Sequence, residues 1–507
     1  MTRSLGLTLD PSTGEHLYLQ VFDQLAARIS SGALPPGFRL PPTRALAEEL
    51  GAHRNTVVRA YEALADAGFT TSAVGRGTFV ARCEPVAAPA HADAGALGEL
   101  PWASLVSRAA AMEPLRRVDR AARLPGGRGL INLTRTQPPD HLLPTSLLQR
   151  CIDHVLRTAG ARALASAPRE GIWPLREHIA VELSSSGVPA TADDVLVTSG
   201  SQQALDLVVR ALVNPGDAFL VEESTYSGAI NLLYAAGARL MAIPADEEGP
   251  DLFALGRLAR AGAKGLYLMP NCASPAGGST SPDRRKALVE WSHGTGVPLV
   301  EDDHGADLHL DGAPPPALRA LSSEVIHVGS FSARLTPALR VGFVVCPRSL
   351  QRHLVPLKYT MDLGTSTLLQ YALAEFIDRG YLEAHMRRVI PEYRARRDAL
   401  VRGLSRHMPD GVSWHRPASG VVIWLTLPPG VDPEAVFEQA RRGGVLVTPG
   451  TFNRVSAGGG GRGALRLVFC HETPRRLARA ARLLAEAMEQ VSARPQTTKR
   501  PLPLEMV

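Results

Sequence analysis

Residues Val328–Gly342 read VGSFSARLTPALRVG. This stretch leaves one β-rich run, VIHVGSF, and enters another, GFVVCP. Between them two serines, Ser330 and Ser332, flank Phe331, and Pro337, Leu339, Arg340 and Gly342 follow. Runs of the same kind recur at DVLVTSG, AFLVEES, GLYLMP and PLVEDD, with helical stretches between them. Short β-rich runs alternating with helices predict an α/β sandwich around a mainly parallel sheet, from Ile131 to about Val491. Ligands of such sheets gather at the carboxyl ends of the strands, and the candidate chemistry falls there. In TSGSQQALDL a strand ends at Thr198 and Gly200-Ser201-Gln202 opens a helix. A glycine turn at a helix N-terminus presents free N–H groups to an anion.

Composition bounds the rest. A chain of 507 residues is too long for one core and suggests roughly three domains. Hydrophobic content of 45% with 21% charged residues is ordinary for a soluble globular protein. The net charge of +6 permits a polyanion partner without requiring one. Five cysteines (Cys83, Cys151, Cys272, Cys346, Cys470) are scattered without a C-x-x-C pair. A disulfide framework or zinc knuckle is therefore not expected, and a reducing cytoplasm fits. MTRSLGLTLD has no apolar leader core, and no run of eighteen apolar residues exists, so neither export nor a membrane span is expected. The acid- and histidine-rich run Asp302, Asp303, His304, Asp307, His309 has metal-ligating residue types. Neighbours at a strand end point oppositely, so no metal is expected there.

The first eighty residues read as a separate head. Leu17, Val21, Leu25 and Ile29 line one helix face, which Gly32 and Pro35-Pro36-Gly37 stop. PPTRALAEELG supplies a short helix, with Thr43 a candidate N-cap and Gly51 closing it. AHRNTVVRAYEALADAG supplies another with Val57, Tyr61 and Leu64 inward. Two short helices across a glycine turn read as helix-turn-helix, and FTTSAVGRGTFVA follows as a hairpin around Gly75-Arg76-Gly77. The order helix, P-P-x-R, turn, H-R-N-T-V, G-x-G-T-F-V resembles the GntR-type winged helix over about Leu17 to Ala81. That resemblance implies double-stranded DNA as partner. It assigns Arg44, Arg54 and Thr56 to phosphates or bases and makes Gly77 the wing glycine. Asn55 and Arg59 are added from their exposed place on the recognition helix. Arginine grips a guanine edge bidentately. His53 stands where the family usually has serine.

The opening stretch resembles the cofactor-lysine segment of fold-type I pyridoxal phosphate enzymes, in the form seen in MocR-type regulators: Ser-Phe-Ser-Lys-x-Leu-x-Pro-x-Leu-Arg-x-Gly. In that pattern the lysine forms a Schiff base with the cofactor aldehyde. Here Ala333 stands in its place. A methyl group forms no imine and shuttles no proton. Only Lys264, Lys286, Lys358 and Lys499 are lysines, and none falls in a segment that the fold would bring to the aldehyde. The resemblance assigns the cofactor phosphate to Ser201, Gln202, Ser330, Ser332 and Arg340. It stacks Tyr226 on the pyridine ring and sets Asp302 against the ring nitrogen. His304 replaces a tyrosine beside the phenolic oxygen, and Ser274 takes the place of an asparagine before proline. Arg466 matches the arginine that clamps a substrate carboxylate.

The expected organisation is a winged helix-turn-helix at residues 14–82, a flexible linker at 83–129, an aminotransferase-like domain at 130–491 and a disordered tail at 492–507. The second domain is α/β, with a small α+β subdomain at its C-terminal end. The expected function is a homodimeric transcription regulator. Its degenerate domain senses a pyridoxal phosphate-related or amino-acid ligand, and pyridoxal phosphate is expected to bind only non-covalently. One alternative is a working aminotransferase carrying a DNA-binding head. Another is a regulator whose second domain serves only as a dimerisation scaffold.

Overall fold

The structure is a computed structural model. It describes residues 5, 7–9, 17–30, 33–66, 69–73, 77–81, 100, 102–107, 109–112, 129–258, 262–305, 307–455 and 463–493. Most of the expected linker, the wing tip at Gly75 and Arg76, Cys83, the glycine run 458–461 and the tail beyond 493 lie outside those residues. Two compact units are present, Met1–Pro101 and Trp102–Val507.

The first unit has helices α1 (Leu17–Ser30), α2 (Thr43–Glu49) and α3 (Arg54–Asp66), then strands β1 (Thr70–Ala73) and β2 (Gly77–Val80). The strands pair antiparallel with Thr70 opposite Val80. Val21, Leu25, Leu46, Val57, Tyr61, Leu64 and Val80 form its core. Val21, Leu25, Val57, Tyr61 and Leu64 are inward positions that the helical spacing predicts, while Leu17 and Ile29 are half-buried. Gly51, at φ +62°, turns the chain between α2 and α3. Thr43 is not a cap: it is the first residue of α2, preceded by Pro42, and no side chain caps that end. Capping occurs at α3 instead, where the Asn55 backbone N–H donates to His53 Nδ1 at 3.3 Å. The unit also reaches upstream of residue 14. Leu7 is buried in its core, and the Thr8 backbone N–H donates to Gln24 Oε1 at 3.1 Å.

The second unit is built on seven strands: β3 (Val195–Thr198), β4 (Ala218–Glu222), β5 (Arg239–Ile243), β6 (Leu266–Leu268), β7 (Leu299–Asp302), β8 (Ile326–Ser330) and β9 (Gly342–Val345). Their order is β3-β9-β8-β7-β6-β4-β5. Every pairing is parallel except the two made by β9, which runs antiparallel to β8 and β3. Both faces are covered. Val195, Val197, Phe343 and Val345 enter one cluster with Ile179 and Leu373. Leu196, Val344, Val328 and Val300 enter another, with α4 (Ser201–Leu212) and α5 (Arg348–Asp362) supplying Leu205, Val208 and Leu354. Alternate residues thus serve opposite layers, which is why these strands are apolar almost throughout. Edge strand β5 is the one missing from the sequence reading. Its RLMAI is only partly buried and lacks the continuous β-branched character of the others.

Four short strands make a separate antiparallel sheet: β10 (Ser413–Trp414), β11 (Val422–Thr426), β12 (Thr448–Pro449) and β13 (Ala464–Val468), in the order β10-β11-β13-β12. Helices α6 (Tyr381–His407) and α7 (Pro474–Ser492) cover it through Tyr393, Leu400, Leu477 and Leu484. This is the expected small α+β subdomain.

Candidate functional site

Sheet register assembles the site. Gly342 of β9 lies opposite both Thr198 of β3 and Ser330 of β8. The turn after Thr198 and the stretch from Ser330 to Arg340 therefore meet at one edge, although they are far apart in sequence. Contact there is close enough to demand glycine. A Cβ on Gly342 would lie 2.7 Å from the Gly200 carbonyl carbon and 2.8 Å from Ser201 N. A Cβ on Gly200, which sits at φ +85°, would lie 2.8 Å from Arg340 Nη2. Arg340 donates from Nη2 to the Ser199 carbonyl at 3.1 Å. Among the described residues it makes no ion pair, so its charge remains available to an anion.

A cavity of about 260 Å³ opens at this edge. Ser201, Gln202, Tyr226, Ser274, Asp302, His304, Ser332, Ala333, Arg340 and Arg466 all line it. Ser330 does not. It is buried behind the loop, where its Oγ accepts from Ser332 N at 3.2 Å. Ser330 thus shapes the turn that carries Ser332 rather than facing the cavity.

The cavity walls are held from outside. Tyr226 OH donates to Gln202 Oε1 at 3.0 Å, and Gln202 Nε2 donates to the Gly228 carbonyl at 3.3 Å. Gly228 lets the Tyr226 ring fold back, since a Cβ there would come within 2.4 Å of the ring. Asp302 is buried. Its Oδ2 accepts from Tyr267 OH at 2.8 Å and its Oδ1 from His304 N at 3.1 Å. Burial raises its carboxyl above the ordinary range, against the opposing pull of His304 and Tyr267. A cationic group facing it would relieve that cost. Tyr267 is a support that sequence reading missed, because a tyrosine inside an apolar strand reads simply as core.

Two buried polar atoms beside the cavity, Ser332 Oγ and His304 Nδ1, lack a hydrogen-bond partner among the described residues. Buried polar groups are normally satisfied, so both are open to a further hydrogen bond. Arg466 has no carboxylate partner among the described residues, and burial lowers its pKa. Hydroxyl and guanidinium donors at a helix N-terminus, a buried carboxylate and a guanidinium with no carboxylate partner among the described residues are groups that fit a phosphorylated pyridine with a carboxylate-bearing ligand beside it.

Ala333 and Arg334 face opposite ways. Arg334 pairs with Glu182 and with Asp307 at 3.2 Å and stacks on Phe331. It lines a second cavity of about 320 Å³ together with Asp303, His327 and Ser330. Asp302 and Asp303 likewise part to different cavities. None of the described lysines lines the first cavity. Lys264 and Lys286 are exposed, and Lys358 is buried in α5.

On the head, Arg44, Arg54, Asn55 and Arg59 are exposed and Thr56 is half-buried. Arg59 stacks over the Tyr18 ring at 4.8 Å, which ties it to α1. Gly77 has φ +109°, and a Cβ there would meet Arg39 Nε at 3.0 Å. Arg39 thus lies against the wing strand and adds a cation that sequence reading overlooked. It falls between helices, where periodicity marks nothing.

Taken together, a winged helix and a fold-type I aminotransferase domain define a class of regulator built on an enzyme scaffold. The description "Bacterial regulatory proteins, gntR family" matches residues 17–80, and "Aminotransferase class I and II" matches residues 128–484. The chain belongs to the MocR-type subfamily of GntR-type regulators, in which these two domains are joined. It is 32% identical to the probable rhizopine catabolism regulatory protein MocR of Rhizobium meliloti, over 87% of this chain and 88% of that protein. It is 34% identical to 2-aminoadipate transaminase of Thermus thermophilus, over 78% of this chain and 99% of that protein. A crystal structure of LysN, the alpha-aminoadipate aminotransferase of Thermus thermophilus, complexed with N-(5'-phosphopyridoxyl)-L-leucine, superimposes with a TM-score of 0.71. That match has 32% identity and covers 78% of this chain and all of the other. The gntR head marks the protein as DNA-binding, and the aminotransferase family is one that binds pyridoxal phosphate. Among the described residues no helix is long and apolar enough to cross a membrane.

Proposed function

We propose that this regulator senses a pyridoxal phosphate-related or amino-acid ligand in the first cavity without turning it over. One observation carries the reading: Ala333 lines a cavity whose other walls keep phosphate donors and an unpaired Arg466. Pyridoxal phosphate supplies an electrophilic aldehyde and an electron sink where an enzyme lysine tethers it. Here the chain binds rather than reacts. Ser201, Ser332 and Arg340 hold the phosphate, Tyr226 and Asp302 hold the ring, and Arg466 orients a carboxylate. Binding is non-covalent, because a methyl group offers no nucleophile. Arg44, Arg54, Asn55, Thr56, Arg59 and Gly77 carry the DNA contacts of a homodimer in the cytoplasm, where its operator lies.

Titration of purified protein with pyridoxamine 5'-phosphate, followed by calorimetry, tests the reading. Saturable binding is expected, weakened about tenfold or more by Arg340→Ala, since hydrogen bonds to charged groups contribute on that scale. Adding amino donor, keto acceptor and pyridoxal phosphate is expected to give no turnover above background. Turnover would restore the working aminotransferase, the reading that likeness to a transaminase favours. Absence of any binding would leave the domain as a scaffold.

A further inference from the structure

An ion pair between a buried lysine and a half-buried aspartate lies directly behind the Ser199–Gln203 turn. Lys358 and Asp362 sit one helical turn apart at the end of α5. Lys358 is 1% exposed, and its Nζ lies 3.1 Å from Asp362 Oδ1 and 3.3 Å from Oδ2. A lysine so deeply buried loses most of its hydration, which a single partner rarely offsets. Burial accordingly lowers its pKa, with Asp362 opposing.

The pair does not stand alone. Asp362 Oδ2 accepts from Gln203 Nε2 at 2.9 Å and from Ser199 Oγ at 3.2 Å. Gly364 N donates to Oδ1 at 3.0 Å. Gln203 is gripped at both ends, since its Oε1 accepts from Ser199 N at 2.7 Å. Ser199 in turn offers its carbonyl to Arg340 Nη2. Asp362 therefore bonds the residue just before Gly200 and the residue just after Gln202. One carboxylate brackets the turn whose N–H groups open α4, and through Ser199 it also registers Arg340.

We infer that Lys358 and Asp362 are positioning residues that hold the Ser199–Gln203 turn and Arg340 in the arrangement a phosphate dianion needs. This rests on the proposed phosphate-binding role of the first cavity. Neither residue lines that cavity, so neither touches the ligand. Lys358 fixes the Asp362 carboxylate, Asp362 fixes Ser199 and Gln203, and these present the donors. Donors held in place before the ligand arrives need no reorganisation when it binds. The effect is greatest at the phosphate end. Asp302 is held by Tyr267 and His304 N, Arg466 lies on β13, and Tyr226 meets the turn only through Gln202, so recognition of the ring and of a carboxylate depends far less on the pair.

The experiment compares pyridoxamine 5'-phosphate with pyridoxamine, by calorimetry on the full chain and on Lys358→Met and Asp362→Asn. Affinity for the phosphorylated compound is expected to fall about tenfold or more in each variant, with affinity for pyridoxamine falling much less. The ratio of the two affinities is the deciding quantity, because mere loosening of α5 would not alter it selectively. Ser199→Ala removes one hydroxyl and leaves the ion pair in place. It gives a smaller loss in the same direction and decides the matter if the other variants do not fold. A ratio unchanged in every folded variant, with a lowered melting temperature, overturns the inference and leaves the proposed function standing. No binding of the phosphorylated compound by the unaltered protein overturns both.

Discussion

Arg466 shows how a single side chain can be retained against stability. It is a half-buried guanidinium with no carboxylate partner among the described residues, and burial lowers its pKa. An uncompensated buried charge destabilises the fold that carries it. Arg466→Met is therefore expected to raise the melting temperature of the ligand-free protein while abolishing binding of a carboxylate ligand. Thermal scans with and without a candidate amino acid would show both effects, and a lowered melting temperature would contradict the argument. Glu222 makes a related case at the end of β4. Burial alone raises its carboxyl to about 7. The unfolded chain releases this proton near its ordinary value of 4.5, while the native state keeps it until about 7. Stability therefore falls as pH rises across that interval. Glu222→Gln is expected to flatten the fall and to stabilise the protein at pH 8 by up to about 3 kcal/mol. Denaturant melts at pH 5 and pH 8 would measure it. Asp303, also raised to about 7 by burial, leaves a residual slope.

At the scale of elements, the site depends on how closely three segments approach. Strand β9 runs against the direction of its neighbours and brings Gly342 onto the backbone of Gly200 and Ser201. Any side chain there must push the phosphate turn away from Arg340. Gly342→Ala is expected to cost about 1–3 kcal/mol of stability, the usual range for overpacking a filled space. Phosphate affinity should fall with it, since the displaced backbone carries the donors. Chemical denaturation and binding of inorganic phosphate read the two effects separately. Much of this was legible in the sequence. TSGSQQALDL and VGSFSARLTPALRVG carry turn glycines and polar residues in local order, and local order is what sequence patterns record. Ser330, which does not line the first cavity, alternates with Phe331 at a strand end. Which of two neighbouring serines faces a cavity depends on how the loop bends, and spacing does not encode that.

For the whole molecule, the winged helix is the part that meets DNA. The head presents Arg54 and Asn55 at the exposed start of α3, with His53 as its cap. Because His53 satisfies a backbone donor at the helix start, it sets where the recognition helix begins. Arg54→Ala is expected to weaken binding to the protein's operator by about 1–3 kcal/mol and to relax preference at one base position. Gel-shift titrations at one fixed salt concentration would show it, because affinity for DNA varies steeply with salt. An equal loss on every sequence would instead assign Arg54 to a phosphate.

The sequence alone was enough to divide the chain into a winged helix and an aminotransferase-type domain. Apolar periodicity and turn residues are local, and both domains repeat well-spaced motifs. It also reads Ala333 at the place where the resemblance expects a lysine, since local order in a motif needs no geometry to be read. Only the tertiary structure revealed that Tyr267 braces Asp302, that Arg39 flanks the wing strand, and that Lys358 and Asp362 stand behind the Ser199–Gln203 turn. Each of those contacts joins residues far apart in the chain. Packing, not spacing, decides which distant side chains meet.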